Sequence, residues 1–294
     1  MGNDHSHHHA TKNLKVAFFL NVAFTIAEII GGVYVNSIAI LADAIHDLGD
    51  SFSLGTAWFL QIRSNKGATN QFSYGYRRLS LFGALINCVV LISGGLFAIY
   101  KTIGRFIEPE MPDASGMMWF AFLGIAINGY AAWKLSTGKS MNEKVVSWHL
   151  LEDVLGWVAV LIVAVILQFK EIPYLDPALS LAITLYILWN AIKKLRETLF
   201  LFLQGIPKEL SKEKIIGEIV AVKGVVSAHD THIWSLDGEH HVFSTHVRLA
   251  KLNDISELSA IKKEIKQIIV QYDFEHYTIE TDLDGEECNF ENEL

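Results

Sequence analysis

Cysteine is scarce in this chain, and neither a basic surplus nor a cleavable leader is evident. The 294 residues include only two cysteines, Cys88 in an apolar run and Cys288 near the end, which excludes a disulfide framework. The last third is acidic, which argues against nucleic acid as a partner because nucleic-acid binding needs basic patches. The first residues are polar, with no short apolar core after them, so we expect no cleaved signal peptide.

What the chain has in abundance is apolar side chains, and they are unevenly distributed. Hydrophobic residues make up 51% of the sequence, above the usual share for a soluble domain. From position 208 to the end, 18 acidic residues face 9 basic ones. We therefore predict an all-α membrane domain of six transmembrane helices followed by a small cytosolic α+β domain. The expected boundaries are 1–13 for a histidine-rich tail, 14–205 for the membrane domain, 206–285 for the soluble domain and 286–294 for an acidic tail.

Six stretches have the length and apolar character that a membrane-spanning helix needs, about 20 residues. They cover roughly 16–35, 38–62, 79–106, 117–135, 145–169 and 174–192.

The charges between these stretches predict their direction. Basic residues follow the second, fourth and sixth spans, at Arg63, Lys66, Arg77, Arg78, Lys134, Lys139, Lys144, Lys193, Lys194 and Arg196. The connection after the third span is acidic, with Glu108, Glu110 and Asp113. Because cytosolic connections carry the excess of Lys and Arg, we expect both termini and the soluble domain in the cytosol.

Two of the spans carry ionisable side chains in the same pattern. His46 and Asp50 are four residues apart in the second span, as are His149 and Asp153 in the fifth, so each pair shares one helix face. Two imidazoles and two carboxylates suit tetrahedral zinc, and also cobalt, nickel, copper or cadmium. The alternative is that each pair is a local hydrogen-bonded couple that serves helix packing.

Further polar side chains flank these pairs. Asp43 lies one turn before the first histidine, where it either orients the ring or is solvated at a cavity mouth. Asp47 and Glu152 are expected to be solvated there. Asn21 and Glu28 lie seven residues apart on the first span, so they either line the same cavity or form interhelical hydrogen bonds.

Several segments resemble the cation diffusion facilitator family, and in particular its zinc-transporting branch. They read SIAILADAIHDLGD at 37–50, FSYGYRR at 72–78, ALIN at 84–87, DPALS at 176–180 and DTHIWSL at 230–236. The resemblance implies a homodimeric metal/proton antiporter with its transport site at His46, Asp50, His149 and Asp153. Two features depart from the family: residues 78–80 lack an acid that often stands there, and residues 63–76 lack the His and Asp of a second metal site.

The sequence of the soluble part predicts helices and strands in the order αββαβ. A helix runs to about 222, alternating strands cover 225–236 and 241–249 around a strong turn at Asp237 and Gly238, and a helix at 255–272 precedes a strand at 276–283. This order resembles the ferredoxin-like dimerisation domain of the family.

Histidines and an acid on or beside these strands are further candidates for metal binding. In the family, corresponding side chains bind metal and join two subunits, which implies such a role for His232, His246, His276 and Glu280. The alternative is that they are ordinary solvent-facing strand residues. We interpret His229, His240 and His241 as surface residues, and Cys288 as either a labile soft ligand or an ordinary tail cysteine.

The histidine-rich start carries His5, His7, His8 and His9. This tract either concentrates metal near the entry, or is a disordered tail, or is partly an expression remnant.

These observations favour a proton-coupled exporter of divalent transition metals, first of all Zn²⁺, with Cd²⁺, Co²⁺ and Ni²⁺ as other candidates. A membrane-anchored metal sensor is the main alternative, but it leaves the two intramembrane pairs without a role. A channel needs weak binding, and an enzyme needs an open ligand position that four ligands do not leave. We expect a bacterial plasma membrane as the location.

Overall fold

The computed structural model describes residues 4–64, 68–136, 141–252, 254–284 and 286. By its contacts the chain divides into two compact units. The first comprises Met1–Ile62 and Gly83–Leu195, and the second comprises Arg63–Phe82 and Arg196–Leu294.

Six long helices make up most of the first unit. They are α1 (Asp4–Tyr34), α2 (Ile38–Ser64), α3 (Leu79–Ile107), α4 (Ala114–Ser136), α5 (Met141–Phe169) and α6 (Leu175–Phe202). Among the described residues, α3, α4, α5 and α6 are long and apolar enough to cross a membrane. The apolar part of α1 is the shorter stretch Asn21–Tyr34, and α2 is interrupted by three aspartates. The structure therefore has a helical membrane domain with four clear apolar spans.

The helix α6 continues ten residues beyond the predicted end at 192. The prediction concerned the apolar run, which ends where Lys193, Lys194 and Arg196 begin. Lysine and arginine end an apolar run, but they are good helix formers, so the helix continues to Phe202.

Two groups of helices can be recognised in the first unit from their buried contacts. One core joins α1, α2, α4 and α5 around Trp157, whose side chain is fully buried. Gly124 of α4 lies flat against that indole ring, where any Cβ would clash. A second, smaller core joins α3 and α6 through Leu91 and Ile187.

The second unit contains a three-stranded sheet with helices on it. Its elements are α7 (Lys212–Val220), β1 (Val225–Ser235), β2 (His241–Leu249), α8 (Ile255–Val270) and β3 (His276–Asp282), which confirms the predicted order. In the sheet, β1 pairs antiparallel with β2, and β2 pairs parallel with β3. The apolar faces of α7 and α8 complete the core with Ile219, Phe243 and Ile265, all fully buried.

The segment between α2 and α3 belongs to this second unit and packs on its surface. Arg77 donates a hydrogen bond to Glu275 over 2.7 Å, and its guanidinium lies 3.8 Å from the carboxylate of Asp237. The Tyr74 ring meets the His276 ring edge-on at 6.0 Å. Arg77 of this segment is thus bound to acidic residues of the sheet unit.

Candidate metal centre

The two His-x-x-x-Asp pairs come together between α2 and α5. His149 of α5 lies 2.7 Å from Asp50 of α2, measured from Nε2 to Oδ2. The same Asp50 oxygen lies 3.5 Å from Nε2 of His46. Because side chains four residues apart on a helix point in one direction, each pair presents both of its groups to the other helix.

Asp50 is the centre of this arrangement. One ligand atom each from His46, Asp50 and His149 lies within 4.8 Å of the other two. The two imidazole rings are nearly perpendicular, with centroids 5.6 Å apart. Two ring nitrogens and a carboxylate oxygen at these separations can bind one metal ion after small side-chain shifts, because zinc takes such ligands at about 2.0–2.2 Å.

Asp153 is the fourth predicted ligand and lies at the edge of this cluster. Its Oδ1 is 3.9 Å from Nε2 of His46, and its side chain is only 10% exposed. With Asp153 included, the donors are two nitrogens and two oxygens. That set suits zinc, cobalt, nickel or copper better than magnesium, which prefers oxygen alone.

Two of the three acids beside the centre, Asp43 and Asp47, differ from their predicted roles. Asp43 and Asp47 are 6% and 3% exposed, so Asp47 is buried rather than solvated at a cavity mouth. Among the described residues, Nδ1 of His46 has no hydrogen-bond partner. Asp43 therefore does not hydrogen-bond to this ring; its carboxylate faces α5 beside Gly156. Glu152 is 59% exposed and 4.0 Å from Nδ1 of His149, in line with its predicted solvation.

The two polar residues of α1 behave differently from each other. Asn21 donates interhelical hydrogen bonds to the backbone oxygen of Asp47 and to the Ser51 hydroxyl, both at 3.1 Å. Glu28 is fully buried, and its carboxylate oxygens have no hydrogen-bond partner within the described part of the chain.

A second cluster of metal-binding side chains lies on the sheet. Asp282 of β3 approaches His229 of β1 at 3.4 Å and His246 of β2 at 3.6 Å. The two rings are 5.6 Å apart, and ligand atoms of the three residues lie within 4.8 Å of one another. All three side chains are at most 15% exposed.

Of the four predicted cytosolic ligands, His246 and Glu280 lie at this cluster, whereas His232 and His276 do not. Glu280 lies 3.6 Å from His246. His232 is 60% exposed and contacts Asp230 at 2.7 Å instead. His276 stands opposite Val242 in the sheet register, whereas Glu280 stands opposite His246. At about 3.3 Å per residue, His276 is therefore about 13 Å along the strand from Glu280.

His229 and Asp282 are the members of this cluster that sequence reasoning missed. His229 was interpreted as a surface residue, but its side chain is 15% exposed and faces Asp282. An irregularity in β1 between His229 and His232, with Asp230 at a φ of 45°, breaks the strict alternation on which strand predictions rest. The usable signal was the pair of acids at the end of β3, opposite the histidine of β2.

The N-terminal histidine tract and Cys288 lie outside the described side chains. His240 lies at the hairpin turn, where its Nδ1 is 2.7 Å from Oδ2 of Asp237.

Two family models together match nearly the whole chain. The cation efflux transmembrane domain matches residues 14–203. The cytoplasmic domain of cation efflux proteins, a dimer domain, matches residues 207–283. These two matches fall on the helical part and on the sheet-bearing part, respectively.

Curated relatives match the chain over almost its full length. A cadmium, cobalt and zinc/H(+)-K(+) antiporter of Bacillus velezensis is 30% identical over 94% of this chain and 91% of its own. The metal cation efflux system protein CzcD of Cupriavidus metallidurans is 31% identical over 96% and 91%. The zinc transporter ZitB of Pectobacterium atrosepticum is 29% identical over 100% and 93%.

Proposed function

Because the chain belongs to the cation efflux family, we propose that it exports divalent transition-metal ions, with Zn²⁺ as its main substrate and Cd²⁺ and Co²⁺ as further ones. The observation that carries this proposal is the cluster of His46, Asp50 and His149 between two membrane helices. Ionisable groups inside a membrane are costly, and they mark an ion pathway when they converge. The names of the relatives, which include zinc, cadmium and cobalt, support the same substrates.

The transport site comprises His46, Asp50, His149 and Asp153, each contributing one ligand atom. Metal binding requires neutral imidazoles and ionised carboxylates, so a bound ion displaces protons. Imidazole exchanges its proton at ordinary pH, which makes this displacement reversible. The transporter therefore works as a metal/proton antiporter, in which helices move about a site near the midplane and expose it alternately to the two sides.

The membrane arrangement that fits this role has all six helices, α1 to α6, across the bilayer. Both termini and the sheet unit lie in the cytosol of a bacterium, since the basic connections follow α2, α4 and α6. The sheet unit is a ferredoxin-like domain that joins two copies of the chain, and the match to a dimer domain supports this assembly.

The cluster of His229, His246 and Asp282 forms a cytosolic metal site, with Glu280 beside it. Two imidazoles and a carboxylate at low exposure provide three ligands for zinc. A metal held there fastens three strands of the sheet together. We assign it a structural or sensing role, because the sheet offers no path across the membrane.

A membrane-anchored zinc sensor is the alternative, and this cytosolic cluster is the observation that favours it. Zinc flux into proteoliposomes with an imposed pH gradient distinguishes the two functions, with the wild-type protein measured beside the His149→Ala variant. Gradient-dependent flux that the variant loses is the expected result. Zinc binding without flux, in a well-folded wild-type preparation, would overturn the transporter and leave the sensor.

A further inference from the structure

The first turn of α2 is capped by a side chain from another helix. Ser37 is its N-cap, and the hydroxyl accepts a hydrogen bond from the Ile40 amide at 3.2 Å. The Asp176 carboxylate, in the first turn of α6, accepts from the amides of Ile38 at 2.7 Å and Ala39 at 3.3 Å. The amides at the start of a helix have no partner within it. Here Ser37 and Asp176 satisfy three of them.

This joint is buried and is built around a carboxylate, so opening it is energetically costly. Asp176 is 1% exposed and Ser37 is fully buried, and the Ser37 hydroxyl donates to Asp176 over 2.6 Å. Hydrogen bonds to an ionised group are about twice as strong as neutral ones, and the positive end of the α2 dipole adds to them. Opening the joint would leave a buried carboxylate and several amides without partners, which is costly.

The joint also connects the two helix groups of the membrane domain. The core around Trp157 contains α1, α2, α4 and α5, whereas α3 and α6 pack together through Leu91 and Ile187. Asp176 belongs to α6 but binds α2, so it ties the ligand-bearing helix of one group to the other group. The first turns of α6 also reach the core around Trp157, through Leu175 and Leu179.

We propose that Asp176 is a positioning residue that holds the first turn of α2 to α6 as a fixed pivot throughout the transport cycle. This inference rests on the proposed function. His46 lies eight residues beyond Ile38, about 12 Å along the axis. A tilt of α2 by about 10° around the pivot therefore moves His46 by about 2 Å, the length of one zinc–nitrogen bond. A small tilt is enough to break the metal site while the joint stays closed.

Labelling of a cysteine beside the joint tests whether it stays closed. In a parent with Cys88 and Cys288 replaced by serine, the Ala39→Cys variant places a thiol at a position that is fully buried. A membrane-impermeant maleimide is added outside proteoliposomes, at rest and during zinc transport. The Glu171→Cys variant, at an exposed position in the connection just before α6, is the control for access.

The expected result is that the Ala39→Cys variant stays unlabelled in both conditions while the Glu171→Cys variant reacts. Labelling at position 39 that rises during transport would overturn the fixed pivot, because it would mean that the joint opens in each cycle. A wild-type protein that binds zinc but moves none would instead refute the proposed function, so the two failures can be told apart.

Substitutions at the joint test its role in transport separately from its role in folding. We expect Asp176→Ala to lower the maximal zinc flux about tenfold or more with the KM and the equilibrium zinc affinity little changed. The ligands themselves are intact in this variant. Asp176→Asn should recover part of the flux, since its amide oxygen still accepts from α2.

Thr102→Val is the matched control. Thr102 of α3 is fully buried, and its hydrogen bond at 3.0 Å joins α3 to Ser180 of α6 and not to the amides of α2. This variant should transport like the wild type. If Asp176→Ala lowers only the melting temperature, and flux per folded transporter stays unchanged, the residue is merely structural and the proposal fails.

Discussion

Replacing Asp50 by alanine removes the carboxylate that lies between the two histidines of the metal centre. Its Oδ2 is 2.7 Å from His149 and 3.5 Å from His46, so no other described side chain is as close to both rings. The remaining carboxylate, Asp153, lies 3.9 Å from His46. The variant therefore keeps three of the four ligands and loses the one that connects them.

The expected loss of zinc affinity can be estimated from the contribution of one ligand to the binding free energy. A zinc site with four protein ligands contributes about 10–16 kcal/mol, so one ligand accounts for about 2.5–4 kcal/mol. At about 1.4 kcal/mol per factor of ten, the loss of Asp50 weakens zinc binding by about 60-fold to 700-fold. At zinc concentrations below the wild-type KM, flux should fall by the same factor and approach the background of empty liposomes.

The assay is zinc uptake into proteoliposomes, together with equilibrium zinc binding to the purified protein. Glu152→Ala is the matched control, because this carboxylate is also near His149 but is 59% exposed and faces the other ring nitrogen. Exposed pairs contribute about 1 kcal/mol at most, so the control should lose less than about fivefold. If Asp50→Ala transports zinc within fivefold of the wild type, the four-ligand site is refuted.

Three further predictions concern the sheet unit. Burial acts to raise the pKa of Asp237, but hydrogen bonds from the backbone and ring of His240 and from a neighbouring amide outweigh it and lower the pKa. Asp237 thus stabilises the fold above its unfolded pKa of about 3.9 and loses this effect as the pH falls through its lowered folded value. Asp237→Asn should lower the melting temperature more at pH 7 than near pH 3, and an equal loss at both values would contradict this account. Glu275→Ala removes the partner of Arg77, so limited trypsin digestion should cut after Arg77 faster than in the wild type; an unchanged rate would mean that the ion pair does not hold this segment. His246→Ala should remove the zinc bound by the sheet unit and leave the intramembrane zinc in place, as counted by metal analysis after dialysis, whereas retention of both ions would exclude the cytosolic site.

The meeting of the two His-x-x-x-Asp pairs could be predicted from the sequence because its information is local. Four-residue spacing alone puts His46 and Asp50 on one face of a helix, and the same spacing does so for His149 and Asp153. Once both helices are buried in one bundle, these costly groups have to face each other. The acids that only neighbour the centre were predicted less well, because the environment of Asp43 and Asp47 depends on how α1 and α5 pack against α2.

The sheet cluster and the α2 joint could not be predicted in this way, since both depend on distant parts of the chain. His229 meets Asp282 only because β3 lies parallel to β2 and because β1 is irregular beside His229. In the sequence, Asp176 is marked only by the DPALS motif at the start of the sixth span. Its partners are the amides of Ile38 and Ala39, 138 and 137 residues away. Because almost every residue has a backbone amide, the residue types at these positions do not indicate the contact.

Charge balance provides a physical reason for coupling the metal to protons in the proposed cycle. Two carboxylates and two neutral imidazoles cancel the charge of one divalent ion, so the filled centre is neutral. When the ion leaves, Asp50 and Asp153, which are 20% and 10% exposed, would remain as two negative charges, a state that is strongly unfavourable inside a membrane. Protons on these groups or on the histidines restore neutrality, and they also prevent the metal from binding again. The same centre therefore holds either a metal ion or protons. Exchange of the two follows from the low exposure of the site, and no separate proton pathway is needed to explain the coupling.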